Sequence, residues 1–176
     1  HQQIKVEEIL TQADAQIQSF EHFIAKKRYI KQGTMQELLT GNTRLPGFTD
    51  EWQMKVLGDV GKVRMCKRIF NHETNTSGDV PFYKLGTFGK AADAYISQDL
   101  YDSYRNKFAF PDFGSILISA AGTIGRTVIY RGEDAYFQDS NIIWIENSEN
   151  LISNLFLYHL LKVVNYTTEG GTIQRL

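Results

Sequence analysis

From Ile4 to Leu39 the apolar positions recur in steps of three and four. Val6, Leu10, Ala13, Ile17, Phe20 and Ile24 make a seam, and Glu7, Glu8, Gln12, Asp14, Gln16, Gln18, Glu21 and Lys26 fill the places between. That alternation predicts an amphipathic helix with one solvated face. No proline interrupts it, and Thr40-Gly41-Asn42 supplies a stop, because glycine accepts the left-handed conformation that follows a last helical turn. A helix over this span is roughly 50 Å long at 1.5 Å rise per residue, longer than a small domain is wide. The pattern fits a spacer whose seam needs a partner, and it also fits one wall of a globular core. After Ile24 the seam positions become Lys27, Lys31 and Thr34. The second half is expected to turn toward Phe23, Ile30 and Leu38 or to break near Gly33.

The texture then changes. Arg44-Leu45-Pro46-Gly47-Phe48 is a joint, followed by Asp50, Glu51 and Trp52 and a short apolar patch at Met54, Val56 and Leu57. Beyond it, short β-branched and aromatic runs punctuated by glycines predict strands. Residues 115–119 and 127–130 read as two strands around a tight turn at Ala120-Ala121-Gly122. Residues 141–145 and 81–85 read as two more. Asn75 to Asp79 is a polar loop. Leu151, Ile152, Leu155, Phe156, His159, Leu160 and Val163 recur at helical spacing and predict a second, largely buried helix. The expected architecture is α+β: a long N-terminal coiled-coil-type helix over residues 1–41, then a mixed, strand-rich domain over 42–176 with one late helix.

Composition narrows the functional classes. In 176 residues the chain holds 19 basic and 20 acidic side chains, a net charge of −1. Bulk charge therefore gives no attraction for nucleic acid, and any anion-binding surface must come from local clustering. Cys66 is the sole cysteine, which excludes a disulfide framework and fits a reducing compartment. No apolar run is long enough to span a bilayer, so a cytoplasmic protein without a membrane partner is expected. The chain begins without Met and ends at Gln174-Arg175-Leu176 with no tail, and reads as part of a longer protein.

Catalytic signatures are missing. Pro46, Pro81 and Pro111 are never adjacent, so the Asn/Asp-Pro-Pro-aromatic pattern of an adenine methyltransferase is absent. No lysine has an acidic residue two places before it, as a common class of nuclease requires. Gly58-Asp59-Val60-Gly61-Lys62 lacks the spacing and the following Ser or Thr of a phosphate loop. His1, His22, His72 and His159 are too scattered for a metal site. What remains is basic clustering. Lys62, Arg64, Lys67, Arg68, Asn71 and His72 run without an acidic residue until Glu73. Arg105, Asn106 and Lys107 form a second group beside Tyr101, Tyr104 and Phe108, and Arg126 follows a glycine turn. Cations interleaved with amides can neutralise phosphates and read base edges, and they can equally be a solvated loop.

These residues, taken together, resemble the DNA-specificity (S) subunit of type I restriction–modification systems. Ile9 to Ile17 is similar to the start of that family's conserved helix, and Lys26-Lys27-Arg28-Tyr29-Ile30-Lys31-Gln32-Gly33 through Gly41 to its end. Arg44 to Phe48, Trp52 and Leu57-Gly58-Asp59-Val60 resemble the approach to the next target-recognition domain. Gly114 to Ser119 with Gly122-Thr123-Ile124-Gly125 is similar to a recurrent pattern inside it, and Gly170-Gly171 through Leu176 to a segment near its end. The signatures are spread over nearly the whole chain in the family's order.

The resemblance implies a subunit that binds double-stranded DNA without cutting or methylating it, one recognition domain reading one half of a split target. It implies that Val6, Leu10, Ala13, Ile17, Phe20 and Ile24 pair with another helix, which spaces the recognition domains and docks the methyltransferase (M) subunits, with a restriction (R) subunit as a further partner. S-adenosylmethionine, ATP and magnesium would belong to those partners, and no cofactor or metal to this chain. Lys62, Arg64, Lys67, Arg68, Asn71, His72, Arg105, Asn106, Lys107, Thr123 and Arg126 are the expected DNA-facing residues. Two other classes stay open: a protein-interaction scaffold working through the helix, and a hydrolase built from scattered His, Ser and Asp. Self-pairing through the helix is also expected, because two copies related by a two-fold axis would imitate an intact subunit.

Overall fold

The computed structural model describes residues 1–53, 55–147, 151–164, 166–169 and 172–175, with the backbone alone for 167–169 and 172–175. The expected patch residue Met54 and the segment ends Gly170, Gly171 and Leu176 lie outside the described residues. The chain forms two compact units, His1–Trp52 and Gln53–Leu176.

In the first unit, helix α1 runs unbroken from Gln2 to Leu39. Gly33 does not interrupt it. A single glycine costs a helix about 1 kcal/mol relative to alanine, and Lys31, Gln32, Met35, Gln36, Glu37 and Leu38 around it are all good helix formers. None of the side chains of α1 is buried; Val6, Leu10, Ile17, Phe20 and Ile24 are each about half exposed or more. The helix stops where the sequence says it should. Thr40 donates from its hydroxyl to the Gln36 carbonyl at 2.7 Å, and Gly41 turns left-handed at φ +81°. Trp52 then packs against Gly41, and the Arg44 guanidinium lies 4.7 Å over its ring.

The second unit is a layered α+β domain. A one-turn helix α2 (Leu57–Val60) leads into β1 (Lys62–Met65). A 3-10 turn (Asn71–Glu73), β2 (Val80–Tyr83), β3 (Tyr95–Ile96), α3 (Gln98–Lys107), β4 (Ile116–Ser119), β5 (Thr127–Ile129), β6 (Tyr136–Phe137), β7 (Ile142–Glu146) and α4 (Asn154–Leu160) follow. The hairpin β8 (Thr167–Glu169) and β9 (Thr172–Arg175) comes last. The main sheet has the order β1-β7-β4-β5, antiparallel throughout, and a smaller sheet has the order β3-β2-β6.

The central strands are apolar on both faces because both faces are covered. Leu117, Ile142 and Trp144 join a core of Phe82, Phe88, Tyr101, Tyr130, Tyr136 and Phe137. Ile116, Ile118 and Ile145, pointing the other way, pack with Leu157 and Leu161 at α4. The aromatic core is ordered by edge-to-face contacts, as Tyr101 on Phe110 (5.7 Å, 81°) and Tyr130 on Phe137 (5.8 Å, 88°). Its phenols are satisfied: Tyr136 donates to the Lys67 carbonyl and Tyr130 to that of Glu133, both at 2.9 Å.

Two expectations need correction. The strand-rich domain has a full helix, α3, in its middle as well as the late one. Ser97 caps it, accepting from the Leu100 N–H at 3.3 Å, but only Tyr101 within it is fully buried, so its apolar period is faint. The late helix is also less buried than its pattern implied. Leu157 faces inward, while Leu151 and Leu155 are more than half exposed.

Candidate nucleic-acid interface

The register of the main sheet decides which candidate residues meet. Met65 lies opposite Ile143, Ser119 opposite Ile142, and Ile118 opposite Thr127. The end of β1, the start of β7, the end of β4 and the start of β5 therefore share one end of the sheet. Residues 66–73, 120–126 and 138–141 leave the sheet there. This brings together Lys67, Arg68, Thr123 and Arg126, with Asn71 and His72 in the turn that follows Arg68.

The loop 120–126 is braced by its glycines and by side-chain hydrogen bonds. Gly122 and Gly125 have φ of +61° and +82°, and a methyl on either would run into Leu85 or the Tyr166 ring. Ser119, 1% exposed, donates from its hydroxyl to the Thr123 carbonyl at 2.5 Å and accepts from the Arg126 N–H at 2.9 Å. Arg126 Nη1 in turn donates to the Phe88 carbonyl at 2.9 Å, which ties this loop to the turn after β2. The same turn is fixed to the end of β6: Gln138 N–H donates to the Tyr83 carbonyl and Leu85 N–H to Gln138 Oε1, at 2.9 and 3.0 Å. Thr123 is exposed at the tip.

Arg68 donates from Nε to Asp139 Oδ2 at 2.7 Å; its own side chain is 59% exposed while that of Asp139 is 15%. The guanidinium is thus aimed by a mostly buried carboxylate and keeps an open flank. Lys67 places Nζ 5.3 Å over the Phe108 ring, so the second basic group is adjacent to the first. On that group Arg105 donates to the Tyr101 hydroxyl at 2.8 Å and lies 5.3 Å over Phe110, Lys107 donates to Ser103 at 3.2 Å, and Asn106 is exposed. Arg105 and Lys107 also occupy the last turn of α3, where cations offset the helix dipole.

Lys62 and Arg64 are placed apart from these. Lys62 pairs with Glu146 at the opposite end of the sheet, and Arg64 reaches the Glu146 carboxylate at 2.8 Å. Gly61 before them is extended and packs against the Glu146 carbonyl, so 58–62 is a strand lead-in, not an anion loop. Reasoning from sequence missed Gln138, Asp139 and Phe88, which position the candidate cations. The only signal was a polar run, Gln138 to Asn141, ahead of an apolar strand. Among the described residues no group of three or more His, Cys, Asp or Glu could hold a metal ion, and no helix is long and apolar enough to cross a membrane.

Comparison with known proteins yields a consistent set. A family model described as the type I restriction modification DNA specificity domain matches residues 49–176. A curated type I restriction enzyme specificity subunit of Haemophilus influenzae is 62% identical over 121 residues, which is 68% of this chain and 31% of that protein. The chain therefore spans about a third of the length of that relative. The crystal structure of the HsdS subunit from Thermoanaerobacter tengcongensis is similar with a TM-score of 0.54 and 16% identity, covering 92% of this chain and 41% of the other. A chain from a structure on complex assembly and conformational transition of the type I R-M system gives 0.51 and 16%, covering 89% and 40%. At that identity the likeness establishes the fold, a long helix followed by a strand-rich domain.

Proposed function

The chain belongs to the type I restriction modification DNA specificity family, and from that premise we propose that it reads one half of a bipartite duplex target. The observation that carries this reading is the convergence of Lys67, Arg68, Thr123 and Arg126 at one end of the main sheet, on braced loops. Exposed cations on rigid turns supply phosphate contacts that set register, and a guanidinium with a free flank supplies base contacts. The helix-pairing seam docks a partner helix and, through it, the methyltransferase and restriction subunits. Catalysis, with S-adenosylmethionine, ATP and magnesium, resides in those partners, in the cytoplasm.

The test is to express the full-length protein that carries this chain with its methyltransferase and map methylated adenines across a genome. A split motif is expected, one half of which changes when residues 53–176 are exchanged for those of a relative. Methylation without a shared motif, or a motif indifferent to that exchange, would refute the reading.

A second reading is favoured by a separate observation, the exposed apolar seam of α1: a scaffold that acts through the helix and does not read DNA. A salt titration separates the two. Each phosphate contact lowers log affinity by about 0.9 per log unit of salt on duplex DNA, whereas a scaffold has no DNA binding to titrate.

A further inference from the structure

Phe70 sits oddly for a large apolar side chain. It follows Lys67, Arg68 and the buried Ile69, yet it is 54% exposed at the candidate DNA end of the domain. The turn that carries it is not slack. Phe70 N–H donates to Glu73 Oε2 at 2.7 Å, and Glu73 N–H returns to the Phe70 carbonyl at 2.9 Å. Thr74 closes on the Asn71 carbonyl from both its N–H and its hydroxyl, at 3.2 and 2.9 Å. Upstream, Cys66 and Ile69 are in the core, the Lys67 carbonyl accepts from Tyr136, and Arg68 is tied to Asp139. The His72 ring lies 5.8 Å from that of Phe70 and nearly parallel, at 13°. A braced turn thus holds an aromatic ring in water with cations beside it.

This is the arrangement of a wedge. Proteins that kink duplexes place an apolar side chain between two base pairs while neighbouring cations hold the phosphates on either side. The cost of unstacking depends on the step and is least at pyrimidine–purine steps, so such a wedge reads sequence through deformability. Resting on the DNA-reading role proposed above, we propose that Phe70 inserts between base pairs at the edge of the recognised half-site. Part of the target preference is then set by how easily that step opens, with no hydrogen bond to a base.

The test uses the full-length subunit assembled with its methyltransferase and a duplex bearing the mapped target, with 2-aminopurine substituted in turn at each adenine in and beside the half-site. Besides the adenine that the methyltransferase flips out of the duplex, fluorescence should rise several-fold at one further step with the unsubstituted protein and with Phe70→Trp. With Phe70→Ala that step should stay at the level of free duplex, and affinity for the target should fall about tenfold, the scale of one lost base–aromatic stack. An unsubstituted complex that binds its target but raises fluorescence at no position other than the adenine flipped by the methyltransferase would overturn the wedge and leave DNA reading intact. So would Phe70→Ala with unchanged signal and affinity, or with loss of methyltransferase assembly as its only defect, which would make Phe70 a protein contact. A complex with no preference for the mapped target over a scrambled duplex would overturn both.

Discussion

Gly125 occupies a position that no other residue fills without strain. Its φ of +82° lies in the left-handed region, and a methyl there would overlap the Tyr166 ring. Gly125→Ala should therefore lower stability by about 1–3 kcal/mol, read as a reduced urea midpoint with an unchanged slope. It should also loosen the next residue, Arg126, whose N–H is held by the Ser119 hydroxyl. Buried acids in the same core set a second expectation. Burial pushes the Cys66 thiol from 9.0 up to about 12, and burial likewise raises the phenols of Tyr101, Tyr130, Tyr136 and Tyr166 above 10.0. The unfolded chain releases these protons first, so their contribution is fully present below about pH 9 and is lost as pH rises through the folded values. Urea midpoints measured from pH 8 to pH 11 should fall steadily once pH exceeds about 9. A flat profile would mean that these groups are solvated in the folded protein.

At the scale of elements, ion pairs that look alike in a contact map should behave differently. Arg64–Glu146 is 2.8 Å long with both side chains about two-fifths exposed, a surface pair worth roughly 0–1 kcal/mol, and it lies away from the convergent loops. Arg68–Asp139 aims a half-free guanidinium at the loop end. In the assembled complex, Arg68→Ala should cost about 1–3 kcal/mol of target binding or relax the motif at one position, while Arg64→Ala leaves both unchanged. Equal effects in a binding titration would disprove the division of β1 argued from register. The same strand explains what the sequence conceals. The buried strands β4 and β7 were legible because burial on both faces writes a continuous apolar run, and their bounds fell within a residue of those expected. β1 was not. It is an edge strand with Lys62, Val63 and Met65 facing water, and its partner lies about eighty residues on. The candidate site suffered the same limit: Arg68 and Arg126 come together only because β1 and β4 both pair with β7, a fact of register that no local pattern carries. Helix α3 left a cap at Ser97 but a buried seam too short to register as a period.

For the whole molecule, the unmet demand is the seam of α1. Six apolar positions spaced three and four apart face water on a 38-residue helix with no buried side chain. Burying a Leu, Ile or Phe side chain is worth about 1.5–3 kcal/mol, so leaving this seam in water is costly and a second helix is the natural remedy. Charge chooses the orientation. The half of α1 up to His22 is net acidic, with Glu7, Glu8, Asp14 and Glu21 against Lys5, and the half beyond it is net basic, with Lys26, Lys27, Arg28 and Lys31 against Glu37. Two copies side by side in parallel set like charge against like, whereas antiparallel copies set acid against base along the whole contact. The chain alone should therefore sediment as a dimer at high concentration, and Ile17→Asp with Ile24→Asp should leave it monomeric. Sodium chloride then reports the orientation by sign. Screening removes attraction from an antiparallel pair and repulsion from a parallel one, so dissociation should increase as salt is raised from 50 to about 500 mM, over which the Debye length shrinks to a few ångströms. Association that strengthens with salt would require parallel helices, and a monomer under all these conditions would mean that the seam of α1 does not pair two copies.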